Sequence, residues 1–464
     1  MRDKKIFVLG LDGATWDILD FGIEHGELPN FAEIKKYGNT SVLQSTIPPF
    51  TLPAWTSMIT GVNAGKHGIF DFLKRNGGVV TARDRKSPTI FDILSKNGYY
   101  SIAVNIPGTY PPDKIKGVMV SGILTTPSPS SEYVFPKYLK KYIGKFFELS
   151  FRFEFLMAKF LSFKNVDRLI SIADRIVKYE FSATNELLKI IESPKLIWQV
   201  FRTTDVLQHY LYDGTEDGMG KIINHYKSVD KIVGDIISKD DITLLLVSDH
   251  GFTPLRYYIY INSLFERLGY FKFPIRQKIM FYILEVLNPL MMCVPSKIWF
   301  IVHGKLRRMT KHISTSYFEN KAYLLSYTSQ GIVVNQESKD KVFKLLYSLK
   351  EKSGILKGVY LKEELYWGPC LRDLPDIIVD TKEGYILSPL YSPDVMGKPY
   401  KFISFKKADH DRRGIFAIYG SDYKFKLLKI PHIYDVTPSI LKLIGLWNKF
   451  PKNYFDGDAI IDFQ

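Results

Sequence analysis

Metal-ligating side chains and one hydroxyl occur in short clusters, each beside an apolar run or at the start of a helix-like stretch. Gly10-Leu11-Asp12-Gly13 sets a carboxylate after the run Ile6 to Leu11, with glycines that allow close approach. Taken alone, Asp12 reads more simply as the cap of the next helix. Pro48-Pro49-Phe50-Thr51-Leu52-Pro53 holds Thr51 where a loop becomes a helix, as the N-cap with Pro53 in the first turn. A hydroxyl there faces unpaired N–H groups and the positive end of the helix, which favours a phosphate and would stabilise an alkoxide. By itself this too reads as a plain cap.

In Thr204-Asp205-Val206-Leu207-Gln208-His209 the four-residue spacing puts Asp205 and His209 on one helix face, as metal ligands require. One such pair occurs often by chance. Leu244-Leu245-Leu246-Val247-Ser248-Asp249-His250-Gly251 closes an apolar run on an adjacent acid and histidine, and burying both unpaired would be costly. His410 stands in Ala408-Asp409-His410-Asp411, shortly before another run at Ile415. Nitrogen and oxygen ligands without cysteine suit zinc, with manganese the alternative. Asp12, Asp205, His209, Asp249, His250 and His410 are too many for one tetrahedral zinc and about right for two. Two divalent ions roughly 4 Å apart can clamp the entering and departing oxygens of an in-line displacement at phosphorus.

The elements that must gather these residues are short apolar runs: Ile6–Leu11, Ser101–Val104, Val118–Val120, Leu196–Val200, Thr243–Val247 and Ile415–Ile418. Helix-like stretches lie between them, at Thr89–Leu94, Met219–Ile237 and Val436–Leu443. This alternation predicts an α/β fold with a mostly parallel central sheet flanked by helices, whose ligands sit at the carboxyl ends of the strands. Residues 1–125, 190–260 and 400–464 are expected to form the core, and 126–189 a helical insertion. Residues 261–399 are expected to form a cap with further α+β structure. Lys137–Tyr179 reads as helix, and Phe271–His312 mixes apolar residues with many lysines and arginines.

The chain has 464 residues, 46% of them hydrophobic, and a formal charge of +15. That composition fills a sizeable core and excludes disorder as the main state. Cys293 and Cys370 are too few for a disulfide framework or a thiolate zinc site. Ile279–His303, the nearest approach to a membrane span, is broken by Glu285, Pro289, Pro295 and Lys297. A cytoplasmic location is expected, with peripheral contact at a membrane surface left open. Basic charge draws a protein to any polyanion, but no nucleic-acid motif accompanies it, so no specific nucleic-acid partner is expected. Phe271–His312 could lie on anionic lipid, although such amphipathic segments more commonly turn their charges to water and their apolar face inward.

The ordered set of motifs resembles the type I phosphodiesterase/nucleotide pyrophosphatase family of the alkaline phosphatase superfamily. The resemblance rests on Gly10-Leu11-Asp12-Gly13, Thr51-Leu52-Pro53 through Thr60-Gly61, His67-Gly68-Ile69 and Asp205 with His209. It continues through Ser248-Asp249-His250-Gly251, His410 with Gly414-Ile415-Phe416, and Asp435-Val436-Thr437-Pro438 with Asp456-Gly457. It implies an alkaline-phosphatase-like core with a cap, and a small-molecule phosphate ester as substrate. It also implies one metal among Asp12, Thr51, Asp249 and His250 and a second among Asp205, His209 and His410. Thr51 would attack phosphorus to give a phosphothreonine, and a second in-line step by water would give net retention.

One position departs from the family. Phe72, in Asp71-Phe72-Leu73-Lys74-Arg75, stands where nucleotide pyrophosphatases carry an Asn that binds a phosphoryl oxygen. Nucleotide specificity is thereby in doubt, and Lys74 and Arg75 are the candidates to supply the missing contact. Sulfatase chemistry is disfavoured, because Thr51-Leu52-Pro53-Ala54-Trp55 has neither the Cys or Ser nor the Arg of that branch. A phosphomonoesterase or phosphomutase stays open, as does a non-catalytic protein that binds anionic lipid or nucleic acid. His25, His67, His225, His303, His312 and His432 read as structural or surface residues.

Overall fold

A computed structural model describes residues 4–75, 77–153, 156, 165–291, 319–326, 328–398, 406–420 and 424–463. The apolar runs form strands buried on both faces, joined by one part-exposed strand of mixed composition and one strand of two residues. They are β1 (Lys5–Leu11), β2 (Asn39–Gln44), β3 (Ser101–Ile106), β4 (Gly117–Ser121), β5 (Val134–Phe135), β6 (Leu196–Phe201) and β7 (Ile242–Val247). A ribbon pairs β8 (Gly251–Pro254) with β9 (Ala408–Asp411), and β10 (Arg413–Tyr419) follows directly. The central sheet runs in the order β2-β10-β7-β1-β6-β3-β4-β5. β7, β1, β6, β3 and β4 are mutually parallel, while β2, β10 and β5 are antiparallel to their neighbours.

Alternation along each strand splits the interior into two cores, since successive side chains point to opposite faces. Phe7, Leu9 and Leu11 of β1 join Leu244 and Leu246 of β7 in one core; Ile6, Val8, Leu245 and Val247 belong to the other. The first core is covered by helices that include Val166–Ile190 and Glu216–Ile237. The second is covered by α1 (Thr51–Thr60), Ile90–Lys96 and Val436–Ile444. Val166–Ile190 falls within the expected helical insertion, yet its Leu169, Ala173, Ile176 and Leu187 share a core with the central sheet. Fully burying a leucine or isoleucine side chain such as these is worth about 1.5–3 kcal/mol. That segment therefore flanks the sheet.

Within 261–399 a separate antiparallel sheet runs Ala322–Leu324, Gly331–Val334, Ile377–Thr381, Leu356–Leu361, with its own apolar core. Ile275–Met291 is helical, and 292–318, which holds the rest of the Phe271–His312 stretch, lies outside the described residues. No helix among the described residues is long and apolar enough to cross a membrane.

Candidate active site

Three neighbouring parallel strands deliver the site at their carboxyl ends. In register, Gly10 of β1 faces Val200 of β6 and Val247 of β7, so the residues that follow emerge side by side. Asp12 comes just after β1 and Asp249-His250 just after β7, while β6 leads into α2 (Thr203–Leu211), which carries Asp205 and His209. The ribbon brings His410 alongside, paired across to Phe252. Glycine is needed at two points. A Cβ on Gly10 would stand 2.4 Å from the Trp55 ring and 2.9 Å from Val200, and Gly13 has a φ of +72° with the Phe252 ring 2.4 Å from where a Cβ would be. In that conformation the Gly13 N–H donates to Asp249 Oδ1 at 3.1 Å.

Thr51 is the first residue of α1, with Phe50 as the N-cap, one position from the sequence expectation. Its hydroxyl lies 3.4 Å from His250 Nε2. His250 Nε2 is 3.2 Å from Asp249 Oδ2 and 3.7 Å from Asp12 Oδ1. Asp205 Oδ1 lies 3.4 Å from both His209 Nε2 and His410 Nε2. The two halves meet where the His250 and His410 rings stack at 3.6 Å. The structure therefore gathers Asp12, Thr51, Asp205, His209, Asp249, His250 and His410 into one cluster.

Its donor atoms fit divalent cations. His209, His410 and His250 each direct Nδ1 at a backbone carbonyl, of Ala408 at 3.0 Å, Pro49 at 3.0 Å and Gly251 at 3.1 Å. A carbonyl only accepts, so the proton is on Nδ1 and the lone pair on Nε2 faces the cluster. Asp12 Oδ1, Asp205 Oδ1, Asp249 Oδ2 and Asp409 Oδ2 are buried carboxylate oxygens without a hydrogen-bond partner. Three ligand groups result, Asp12/Asp249/His250, Asp205/His250/His410 and His209/Asp409/His410, each with ligand atoms within 4.8 Å of one another.

The electrostatics set the acids and the imidazoles apart. Burial, then the charges of Asp249 and Asp205, push Asp12 well above the usual carboxylate range, and burial does the same to Asp249. Burial also works to raise Asp205, but His209, His410 and His250 outweigh it and hold that carboxyl below its ordinary value. His250 is driven well below its ordinary value by burial and then by His410. Burial and the Lys406 charge bring His209 down to about 4. Neutral imidazole, the metal-binding form, is thus favoured at both.

Phe72, Lys74 and Arg75 have their contacts elsewhere. The Phe72 ring packs against the small apolar cluster of Leu52, Ile69 and Val80. Lys74 pairs with Asp84 at 2.6 Å, and Arg75 grips Asp376 through two bonds of 3.1 and 2.8 Å. His67, buried, bonds Ser57 Oγ at 2.9 Å and accepts the Ile69 N–H. Sequence reading did not single out Asp409 or Trp55. Trp55 directs its Nε1–H at Asp12 Oδ2, 3.4 Å away. Its signal was the four-residue spacing from Thr51, which puts both on one face of α1; that of Asp409 was only its place beside His410.

The sequence model of a family described as type I phosphodiesterase / nucleotide pyrophosphatase matches residues 6–407. The chain belongs to this family. It is accordingly a phosphoric ester hydrolase of the alkaline phosphatase superfamily. Solved structures share the fold. Murine ectonucleotide pyrophosphatase / phosphodiesterase 5 superposes with a TM-score of 0.56 at 15% identity, covering 99% of this chain and 100% of that one. Phosphonoacetate hydrolase from Sinorhizobium meliloti 1021 gives 0.56 at 14% identity, covering 95% and 96%. The alkaline phosphatase PafA gives 0.57 at 14% identity, covering 100% and 99%. No curated protein sequence matches the chain.

Proposed function

We propose that this chain hydrolyses phosphodiesters through a covalent phosphothreonine on Thr51. Asp12, Thr51, Asp249 and His250 would hold one divalent ion and Asp205, His209 and His410 a second, zinc being the expected metal and manganese the alternative. When bound, the ions supply positive charge to the phosphoryl oxygens and lower the pKa of the oxygens they touch. In the first step the Thr51 hydroxyl gives up its proton to solvent and a bond forms from Oγ to phosphorus as the bond to the ester leaving group breaks, the departing oxygen taking a proton from solvent. In the second, water attacks phosphorus and the P–Oγ bond breaks, returning the threonine. Two inversions give net retention. Thr51 opens α1, and the positive N-terminal end of a helix favours phosphate oxygens.

The single observation that carries this reading is Thr51 Oγ lying 3.4 Å from His250 Nε2, inside a cluster that otherwise contains only acids and imidazoles. Trp55 and Gly13 steady Asp12 and Asp249 around it. A phosphomonoester is the second reading, favoured by Phe72, whose ring packs on Leu52 where nucleotide-cleaving relatives place an amide. A cytoplasmic setting belongs to the same proposal. The test is turnover of p-nitrophenyl phosphate, bis-p-nitrophenyl phosphate and nucleotide esters after EDTA and after return of Zn²⁺ or Mn²⁺. Metal-restored cleavage with the diester fastest supports the proposal; no cleavage of any ester under any metal refutes it.

A further inference from the structure

We propose that the outward face of the helix Ile275–Met291 is a docking surface for an anionic lipid bilayer. Ile275 is 73% exposed, Ile279 53% and Ile283 43%, while Tyr282, at the margin, reaches back to the Tyr391 hydroxyl at 3.4 Å. At helical spacing the three isoleucines share one side, since residues four and eight apart lie together. The roughly opposite side is the anchored one. Phe281 is buried there with its ring 5.6 Å from that of Tyr391, and Phe273 lies 5.2 Å from the same ring. Lys278 pairs with Glu266 at 2.8 Å beside them. The helix therefore turns apolar side chains outward on purpose-built aromatic footing, the reverse of an ordinary surface helix.

The margin of this face identifies its occupant. Lys272 and Arg276 are exposed at its edge, and no Asp or Glu occurs between Arg267 and Leu284. Of the two acids that bracket this stretch, Glu266 is taken by Lys278, and Glu285 follows Ile283 by two residues. A second copy of the chain would bring like charges together across the contact, on a protein of net charge +15. Anionic headgroups with acyl chains beneath them satisfy both features at once: aliphatic side chains enter the boundary while lysine and arginine heads stay at phosphate level. Nothing in this argument depends on the catalytic cluster.

The test is co-sedimentation of the full chain with vesicles of phosphatidylcholine, and with vesicles of phosphatidylcholine containing phosphatidylglycerol, at low and high salt. Binding is expected only with phosphatidylglycerol, and weaker at high salt. Lys272→Ala with Arg276→Ala should weaken partition roughly thirty-fold. Ile275→Ser with Ile279→Ser should weaken it roughly tenfold or more. Both pairs are exposed, and unchanged thermal unfolding confirms that the variants fold. Wild-type failure to bind phosphatidylglycerol vesicles at low salt overturns the proposal, as does equal binding by either double variant. A lipid-free dimer that disappears in Ile275→Ser with Ile279→Ser would overturn it in favour of self-association.

Discussion

The Nε2 atoms of His209 and His410 lie 3.1 Å apart, and both rings have already committed Nδ1 to a backbone carbonyl. Two lone pairs at that distance repel, whereas a cation between them turns the same geometry into coordination. Metal binding should therefore stabilise the fold. At a free metal concentration one hundred times Kd the gain is about 3 kcal/mol. Thermal unfolding with Zn²⁺, and again after EDTA, should show a midpoint several degrees higher with metal. Identical midpoints would mean that the cluster takes no metal.

Thr51→Ala should lower kcat by roughly four orders of magnitude or more, as expected when a covalent nucleophile is removed. Metal content by elemental analysis should be unchanged at saturating metal, because Asp12, Asp249 and His250 remain as a ligand group without the hydroxyl. Wild-type turnover in that variant would remove Thr51 from the chemistry.

Asp409→Asn should weaken metal affinity about tenfold, because a buried carboxylate oxygen that has no hydrogen-bond partner, beside His209 and His410, is replaced by an amide. Burial raises the Asp409 pKa, but Lys406, His209 and His410 outweigh it and bring it down to about 2, so it is a carboxylate at neutral pH. Calorimetric titration of both proteins with Zn²⁺ measures the difference. Equal affinities would leave Asp409 an electrostatic partner of Lys406, 3.7 Å away.

His67 gives the pH dependence. Burial, and then the charge of Arg85, bring its pKa from 6.5 down to about 3. A depressed histidine binds fewer protons folded than unfolded, so its contribution is full above about pH 6.5 and drains away as pH falls toward 3. Between pH 7 and pH 5 the loss is about 2 kcal/mol from this group. Urea unfolding at both pH values should show it, and His67→Gln should flatten the difference. An unchanged pH difference in that variant would place the titration elsewhere.

Arg75→Ala should cost about 1–2 kcal/mol of stability, since it breaks a bidentate grip on a largely buried Asp376. It should leave kcat/KM within about threefold of wild type. A much larger kinetic loss would instead make Arg75 a substrate contact.

Asp12, Asp249 and His250 could be read from sequence because strands buried on both faces have no alternation, and a charge directly after such a run has to lie at the sheet's end. Asp205 and His209 were visible through helical spacing, and His410 only through its place in the ordered motifs. Thr51 was placed one residue off, because proline and threonine fit either the cap or the first turn. Lys137–Tyr179 reads as helix from sequence, and the helix Val166–Ile190 overlaps it, but the face that helix covers depends on residues far along the chain, such as Phe7 and Val229. Asp409 stayed hidden because an acid beside a histidine looks the same whether it faces water or a cavity. Phe72, Lys74 and Arg75 were chosen by position alone, and position does not reveal that Asp84 and Asp376 wait within reach.

The ribbon that seats His410 against Phe252 joins segments made far apart in time during translation. A ribosome can finish β1, β6 and β7, with their acids and two imidazoles, while the last imidazole is still unsynthesised. The cluster is therefore complete only once β9 has been made and has paired with β8.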